Sequence, residues 1–166
     1  MLTYVLGAPG SGKSTVAPVL RRALPGYVIL DWDVYMPAAS ELAERDIRRD
    51  RTTWPGYRNL MRAVVDTVLP ASLVVLGVCT PDELSGWPID SWLVLDCTDE
   101  ERERRLANKG GASDMNDVLA EAARYRALGL HVIDTTARTP QSVADELAHT
   151  ISESRTHNYC PRDELA

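Results

Sequence analysis

A glycine-rich segment near the start of the chain has the spacing of a phosphate-binding loop. The segment Gly7–Ser14, "GAPGSGKS", fits the pattern G-x-x-x-x-G-K-[ST] at every fixed position. Its glycines allow the backbone N–H groups to turn inward around an anion at the start of a helix. Lys13 supplies a positive charge for the β- and γ-phosphates, and the Ser14 hydroxyl is a ligand for Mg²⁺. The pattern therefore predicts binding of ATP or another nucleoside triphosphate. The residues predicted to bind it are Gly7, Ala8, Pro9, Gly10, Ser11, Gly12, Lys13, Ser14 and Thr15.

Two carboxylates follow the second apolar run of the chain, in "LDWDVY". Asp31 and Asp33 are two residues apart, so in an extended chain their side chains point the same way. Parallel sheets bind ligands at the carboxyl ends of their strands, which would place both carboxylates beside the phosphate loop. Asp31 is predicted to hold Mg²⁺ through its water shell, and Asp33 to accept the proton of an attacking hydroxyl. The alternative is a pair of solvated turn residues, because aspartate is common in turns.

Composition bounds the class of protein. The chain has 166 residues, of which 45% are hydrophobic and 25% are charged, and its formal net charge is −6. These values are typical of one soluble domain with a single core. The acidic balance argues against nucleic acid or a membrane surface as a partner, because both attract basic proteins. We expect a cytoplasmic protein, and whether it forms a homodimer is left open.

Short apolar runs alternate with segments of helical period. The predicted strands are Leu2–Leu6, Tyr27–Asp31, Ser72–Val78, Ser91–Asp96 and Leu130–Asp134. Helices are predicted over 14–24, 40–50, 57–69, 98–111, 115–129 and 139–151. Fully apolar strands that alternate with helices predict a parallel sheet covered on both faces, the α/β class. We expect one domain over 1–152, with a helical insertion at about 37–69 and a polar C-terminal tail over 153–166.

The phosphate loop, the Asp-x-Asp pair and the helical insertion together resemble the small P-loop kinases of the nucleoside-monophosphate-kinase-like group. Shikimate kinase, gluconate kinase and chloramphenicol phosphotransferase belong to this group. The resemblance covers the chain to about Ile151. It implies a three-layer fold with a five-stranded parallel sheet in the order 2-3-1-4-5. It also implies a mobile lid and ATP-dependent phosphorylation of a small hydroxylated acceptor.

The resemblance also implies that a basic segment after the fourth strand, at about 102–114, closes over the phosphates. Arg102, Arg105 and Lys109 share a helix face by their spacing, and Gly110–Gly111 offers a hinge. Arg105 is the predicted catalytic cation of this lid, with Lys13 and Asp33 as the other catalytic residues. The alternative is a solvated helix face held by pairing between Arg105 and Glu101.

The remaining candidates concern the acceptor and the base of the nucleotide. The third strand ends in Gly77, where many ATPases and GTPases carry a metal-binding aspartate, and this departure favours a kinase over a motor or switch. Arg138 is a candidate for contact with the nucleotide base. Cations and aromatic rings suit an anionic or ring-bearing acceptor, although the aromatic residues can equally be packing residues. The predicted acceptor-binding residues are Asp33, Trp32, Arg51, Trp54, Tyr57 and Arg58.

The sequence thus favours a kinase that uses ATP and Mg²⁺ to phosphorylate a nucleoside, a sugar-like metabolite or a hydroxylated antibiotic. Three alternatives stay open. A nucleoside-monophosphate kinase would use the insertion arginines to hold an acceptor phosphate. A polynucleotide 5′-hydroxyl kinase would need a local basic groove in spite of the acidic net charge. A nucleotide-binding ATPase or switch would have no small acceptor.

Overall fold

A five-stranded parallel sheet forms the centre of the molecule. The computed structural model describes residues 1–108 and 114–158. The strand order is β2-β3-β1-β4-β5, and every neighbouring pair is parallel. The strands are β1 (Leu2–Leu6), β2 (Tyr27–Asp31), β3 (Ser72–Gly77), β4 (Ser91–Asp96) and β5 (His131–Asp134). Both the fold class and the order 2-3-1-4-5 are confirmed.

The sheet is covered by helices on both faces, which explains why its strands are apolar without alternation. The helices are α1 (Lys13–Ala23), α2 (Trp32–Ala43), α3 (Trp54–Val68), α4 (Asp99–Ala107), α5 (Met115–Arg126) and α6 (Pro140–Asn158), with a 3-10 turn at Arg51–Thr53. One core layer contains Leu2, Tyr4 and Leu6 of β1 and packs against α2, α3 and α5. The other contains Val5 of β1 and packs against α1 and α6.

The largest differences from the predicted helix boundaries concern α2 and α6. Helix α2 begins at Trp32, ahead of the expected insertion, because the Asp31 side chain accepts a hydrogen bond from the Asp33 amide and caps the helix. It ends before Glu44, whose φ of 50° is left-handed, so 44–50 is not helical as predicted. Helix α6 continues to Asn158, beyond the expected start of the tail, and residues 159–166 lie outside the described part of the chain.

Within the described residues, no helix is both long and apolar enough to cross a membrane.

Candidate active site

The phosphate loop connects β1 to α1. Gly10 and Gly12 have φ values of 81° and 99°, which a side chain would disfavour. A Cβ at Gly7 would lie 2.5 Å from the Ser11 Oγ and 2.9 Å from the Leu95 carbonyl oxygen. The three glycines of the motif are therefore required by backbone geometry and close packing, and the loop opens onto the N-terminus of α1.

Lys13 is buried beneath this loop. Its side chain is 5% exposed, and its ammonium donates to the carbonyl of Gly7 and, at 3.5 Å, to that of Ala8. Burial lowers the pKa of Lys13, and the charges of Asp33 and Asp31 oppose that shift. The lysine is thus held inside the loop where an anion would complete its coordination.

Asp31 and Asp33 stand at the end of β2, but they do not share the extended geometry expected of them. Asp31 is the cap of α2 and is 3% exposed, whereas Asp33 lies in the first turn of the helix. Burial and the charge of Asp33 raise the pKa of Asp31, and a side-chain hydrogen bond with Ser14 opposes the rise. Asp31 is therefore directed to the loop, and Asp33 to the cavity beside it.

A cavity of about 750 Å³ lies beside the loop. It is lined by residues 8–14 of the loop together with Asp33, Met36, Arg48, Arg51, Trp54, Pro55, Arg58, Val78, Cys79, Glu83, Leu106, Glu121, Arg124 and Tyr125. The cavity thus brings together the loop, Asp33 and three of the predicted acceptor residues, namely Arg51, Trp54 and Arg58.

Two predicted acceptor residues are core residues instead. Trp32 is fully buried and stacks on Trp87 with ring centroids 5.8 Å apart. Tyr57 is 3% exposed, and its hydroxyl donates to the Trp32 carbonyl at 2.5 Å. Neither lines the cavity, so this packing gives no support to their predicted contact with an acceptor, which stays a prediction. Both lie on helix faces turned to the sheet, where burial of the ring outweighs contact with a ligand.

The glycine at the end of β3 has a packing reason. A Cβ at Gly77 would overlap the hydroxyl oxygen of Tyr4 and lie 2.9 Å from its Cζ. The Tyr4 hydroxyl accepts a hydrogen bond from the Cys79 amide at 3.2 Å. A side chain at position 77, such as a metal-binding aspartate, would need the space that the buried Tyr4 side chain fills. This glycine is therefore explained by packing against Tyr4 and not by room for an acceptor.

Two arginines of α4 support the outer part of the phosphate loop. Arg102 is fully buried, donates to the Pro9 carbonyl at 2.6 Å and pairs with Asp96. Arg105 donates to the Gly10 carbonyl at 3.1 Å and to the main-chain carbonyl of Thr135 at 2.7 Å.

Arg105 is also 2.8 Å from Glu101, the pairing expected of a surface helix face. In this conformation Arg105 does not line the cavity, and its role as the lid cation stays a prediction. The other predicted lid features, Lys109 and Gly110–Gly111, lie outside the described residues.

Arg138 is bound by residues of β5 and α6. Its guanidinium pairs with Glu146 of α6 and donates to the carbonyls of Asp134 and Ser142, each at 3.0 Å. These contacts connect β5 to α6, and the contact with a nucleotide base predicted for Arg138 stays a prediction.

Sequence reasoning missed the wall that α5 contributes. Glu121, Arg124 and Tyr125 line the cavity from that helix, and Glu83 does so from the loop after β3. The Tyr125 hydroxyl contacts the Val78 carbonyl and the Glu121 carboxylate. The sequence signal for this wall is that charged residues lie beside the buried apolar stripe of α5. The local sequence does not show that this side of the helix faces a cavity.

Comparison with known proteins is consistent with this geometry. The model of a family described as "AAA domain" matches residues 4–124. Shikimate kinase 2 of Yersinia enterocolitica is 27% identical over 171 residues, covering 92% of this chain and 96% of the relative.

Two solved structures show the same fold. The tunicamycin resistance protein of Deinococcus radiodurans has a TM-score of 0.66 at 17% identity, over 90% of this chain and 94% of that one. A sugar kinase from a Janibacter species has a TM-score of 0.60 at 24% identity, over 92% and 94%. The chain therefore belongs to the family described as AAA domain, and its relatives support the resemblance to small P-loop kinases.

Proposed function

We propose that this protein is a cytoplasmic phosphotransferase that uses ATP and Mg²⁺ to phosphorylate a hydroxyl group of a small molecule. The observation that carries the proposal is that Asp33 and the phosphate loop line the same cavity. A protein that only hydrolyses or senses a nucleotide needs no acceptor space next to its phosphates, whereas this cavity continues from the loop to Asp33, Arg51 and Trp54. The acceptor is a nucleoside, a sugar-like metabolite or an antibiotic.

The site residues divide the work of an in-line transfer. The acceptor hydroxyl attacks the γ-phosphorus, its proton passes to the Asp33 carboxylate, and the bond from the γ-phosphorus to the bridging oxygen breaks to release ADP. When ATP binds, the Lys13 ammonium donates hydrogen bonds to phosphate oxygens in place of the loop carbonyls of Gly7 and Ala8. Within this scheme Arg105 neutralises charge on the transferring group after the lid closes, and Arg138 contacts the base.

Oxygen ligands suited to Mg²⁺ stand beside the loop. The exposed Ser14 hydroxyl is close enough to the Asp31 carboxylate to lower its pKa, and both groups are hard oxygen donors. Mg²⁺ takes few protein ligands and completes its shell with water and phosphate oxygens, so this small set fits it. When bound, the ion neutralises charge on the β- and γ-phosphates.

The test measures ADP release with ATP and Mg²⁺ over a panel of nucleosides, sugars and hydroxylated antibiotics. We expect Asp33→Asn to lower acceptor-dependent turnover about 100-fold or more while ATP still binds, because a positioned base contributes that much. Asp117→Asn, the same change on the exposed side of α5, serves as the matched control. ADP release that needs no acceptor and is equal in wild type and Asp33→Asn would contradict the proposal.

A further inference from the structure

The chain segment that follows β5 places one buried hydroxyl against the phosphate loop. Thr135 is the first residue after β5, and it is 3% exposed. Its hydroxyl oxygen lies 3.0 Å from the Ser11 carbonyl oxygen, 3.0 Å from the Asp96 carbonyl oxygen and 3.0 Å from a guanidinium nitrogen of Arg105. One side chain therefore connects the phosphate loop, the end of β4 and helix α4.

The single proton of this hydroxyl has one preferred acceptor. The Asp96 carbonyl already accepts a hydrogen bond from the Thr135 amide at 2.7 Å. The carbonyl of Ser11, which is fully buried, has no other donor in the described chain, and a buried carbonyl without a donor is costly. The hydroxyl therefore donates to Ser11. It accepts from Arg105, because a guanidinium can only donate.

Holding the Ser11 carbonyl also fixes the direction of the amide in the same peptide group. The C=O and N–H of a trans peptide point in opposite directions, so the Gly12 N–H points away from Thr135. That N–H has no acceptor within the described chain. A free amide at the start of α1 is a donor for an anion bound in the loop. The Thr135 hydroxyl thus keeps one phosphate-binding donor correctly turned.

The same hydroxyl helps to orient the guanidinium of Arg105. The Arg105 Nη1 donates to the Thr135 hydroxyl at 3.0 Å and to the Gly10 carbonyl at 3.1 Å. Its Nη2 donates to the Thr135 carbonyl at 2.7 Å. Because the guanidinium is a rigid planar fork, two contacts with one residue determine its plane. Thr135 therefore sets the loop peptide and this cation relative to each other.

We propose that Thr135 is a positioning residue for phosphoryl transfer, whose hydroxyl holds the Ser11 peptide and the Arg105 guanidinium in one fixed arrangement; this inference rests on the proposed kinase function. Thr135 does not line the cavity, so it acts through these two partners and not by contact with an acceptor. A role limited to joining β4 to β5 would not need the hydroxyl, because the Thr135 amide already makes that connection.

Three variants separate the hydroxyl from the rest of the side chain. Thr135→Val removes the hydroxyl and keeps the shape, whereas Thr135→Ser keeps the hydroxyl. Thr3→Val is the matched control, because Thr3 is also fully buried and its hydroxyl pairs with that of Ser91 at 2.9 Å, near the start of β1. Urea unfolding of each variant measures the stability that the change costs.

Binding of AMP-PNP, an ATP analogue that is not hydrolysed, is measured by calorimetry with Mg²⁺, so that no turnover is needed. We expect Thr135→Val to bind it about tenfold more weakly than the wild type, because two buried hydrogen bonds are lost. Thr135→Ser and Thr3→Val should bind it within about twofold of the wild type.

A double-mutant cycle with Arg105→Gln tests the connection to the cation. Both changes remove the contact between the Thr135 hydroxyl and Arg105, so their combined loss of AMP-PNP affinity should be smaller than the product of the single losses. With an acceptor that supports turnover, Thr135→Val should lower kcat about tenfold and leave the KM of the acceptor unchanged.

The inference is overturned if Thr135→Val binds AMP-PNP as tightly as the wild type, or if Thr135→Ser binds it as weakly as Thr135→Val. It is also overturned if Thr3→Val loses as much affinity, if the losses of Thr135→Val and Arg105→Gln multiply in full, or if the wild type does not bind AMP-PNP. Absence of acceptor-dependent ADP release contradicts the kinase proposal instead, and the binding order of the variants still decides the role of Thr135.

Discussion

The contact between Gly77 and Tyr4 gives a prediction whose size can be worked from the structure. A Cβ at Gly77 would overlap the Tyr4 hydroxyl, and Tyr4 cannot yield because it is fully buried with its ring 4.8 Å from that of Trp92. Overpacking a core costs about 1–3 kcal/mol, and we expect Gly77→Ala to lie at the upper end, near 3 kcal/mol. Tyr4→Phe should cost about 1–2 kcal/mol, because the buried Cys79 amide loses its acceptor.

The double variant makes the test specific. Removing the hydroxyl relieves the overlap, but the remaining ring carbon is still only 2.9 Å from the new methyl group, so the rescue is partial. We expect the two changes to be coupled by about 1–2 kcal/mol, so that together they cost less than their sum.

Urea unfolding of the wild type, both single variants and the double variant measures this coupling. Gly56→Ala is the matched control, because Gly56 lies in helix α3 with open space around its Cβ position. It should stabilise the protein by about 0.5–1 kcal/mol. If the effects of Gly77→Ala and Tyr4→Phe add to within about 0.5 kcal/mol, the steric explanation of this glycine is refuted.

Three further predictions concern residues buried around the site. Because the folded-state pKa of Asp31 is raised, the protein without ligand should lose stability as the pH rises through it. Asp31→Asn keeps the helix cap. This variant should therefore be more stable than the wild type at pH 7 but not below about pH 4. A difference in urea midpoint between the two proteins that does not change with pH would contradict this. Arg102→Met should lower the free energy of unfolding in urea by about 3 kcal/mol, since it leaves the Pro9 carbonyl unpaired. Arg104→Met, at an exposed arginine, should lower it by less than about 1 kcal/mol. Equal losses would show that the contacts of Arg102 do not stabilise the phosphate loop. Trp32→Phe should lower stability by about 1–3 kcal/mol without changing the KM of an acceptor, and a raised KM would restore Trp32 to the acceptor site.

The fold and the phosphate loop could be predicted because their signals are local. Each of the five apolar runs, like the phosphate-loop motif, is a short stretch of consecutive residues. The strand order followed from the resemblance. The acceptor site could not be predicted in full, because the helical period does not show which neighbour each helix face meets. Trp32 and Tyr57, which were predicted to contact the acceptor, are buried in the core, whereas Glu121 and Arg124, which no motif singles out, line the cavity.

The contacts of helix α4 limit how a lid can move. The carbonyls of Pro9 and Gly10 accept hydrogen bonds from Arg102 and Arg105, which are three residues apart on α4. A flap that swung from the start of this helix would pull directly on the peptide groups that cradle the phosphates. We therefore expect α4 to stay on the loop when the lid closes, so that Arg105 acts on the phosphates from the place that it holds here beside Gly10.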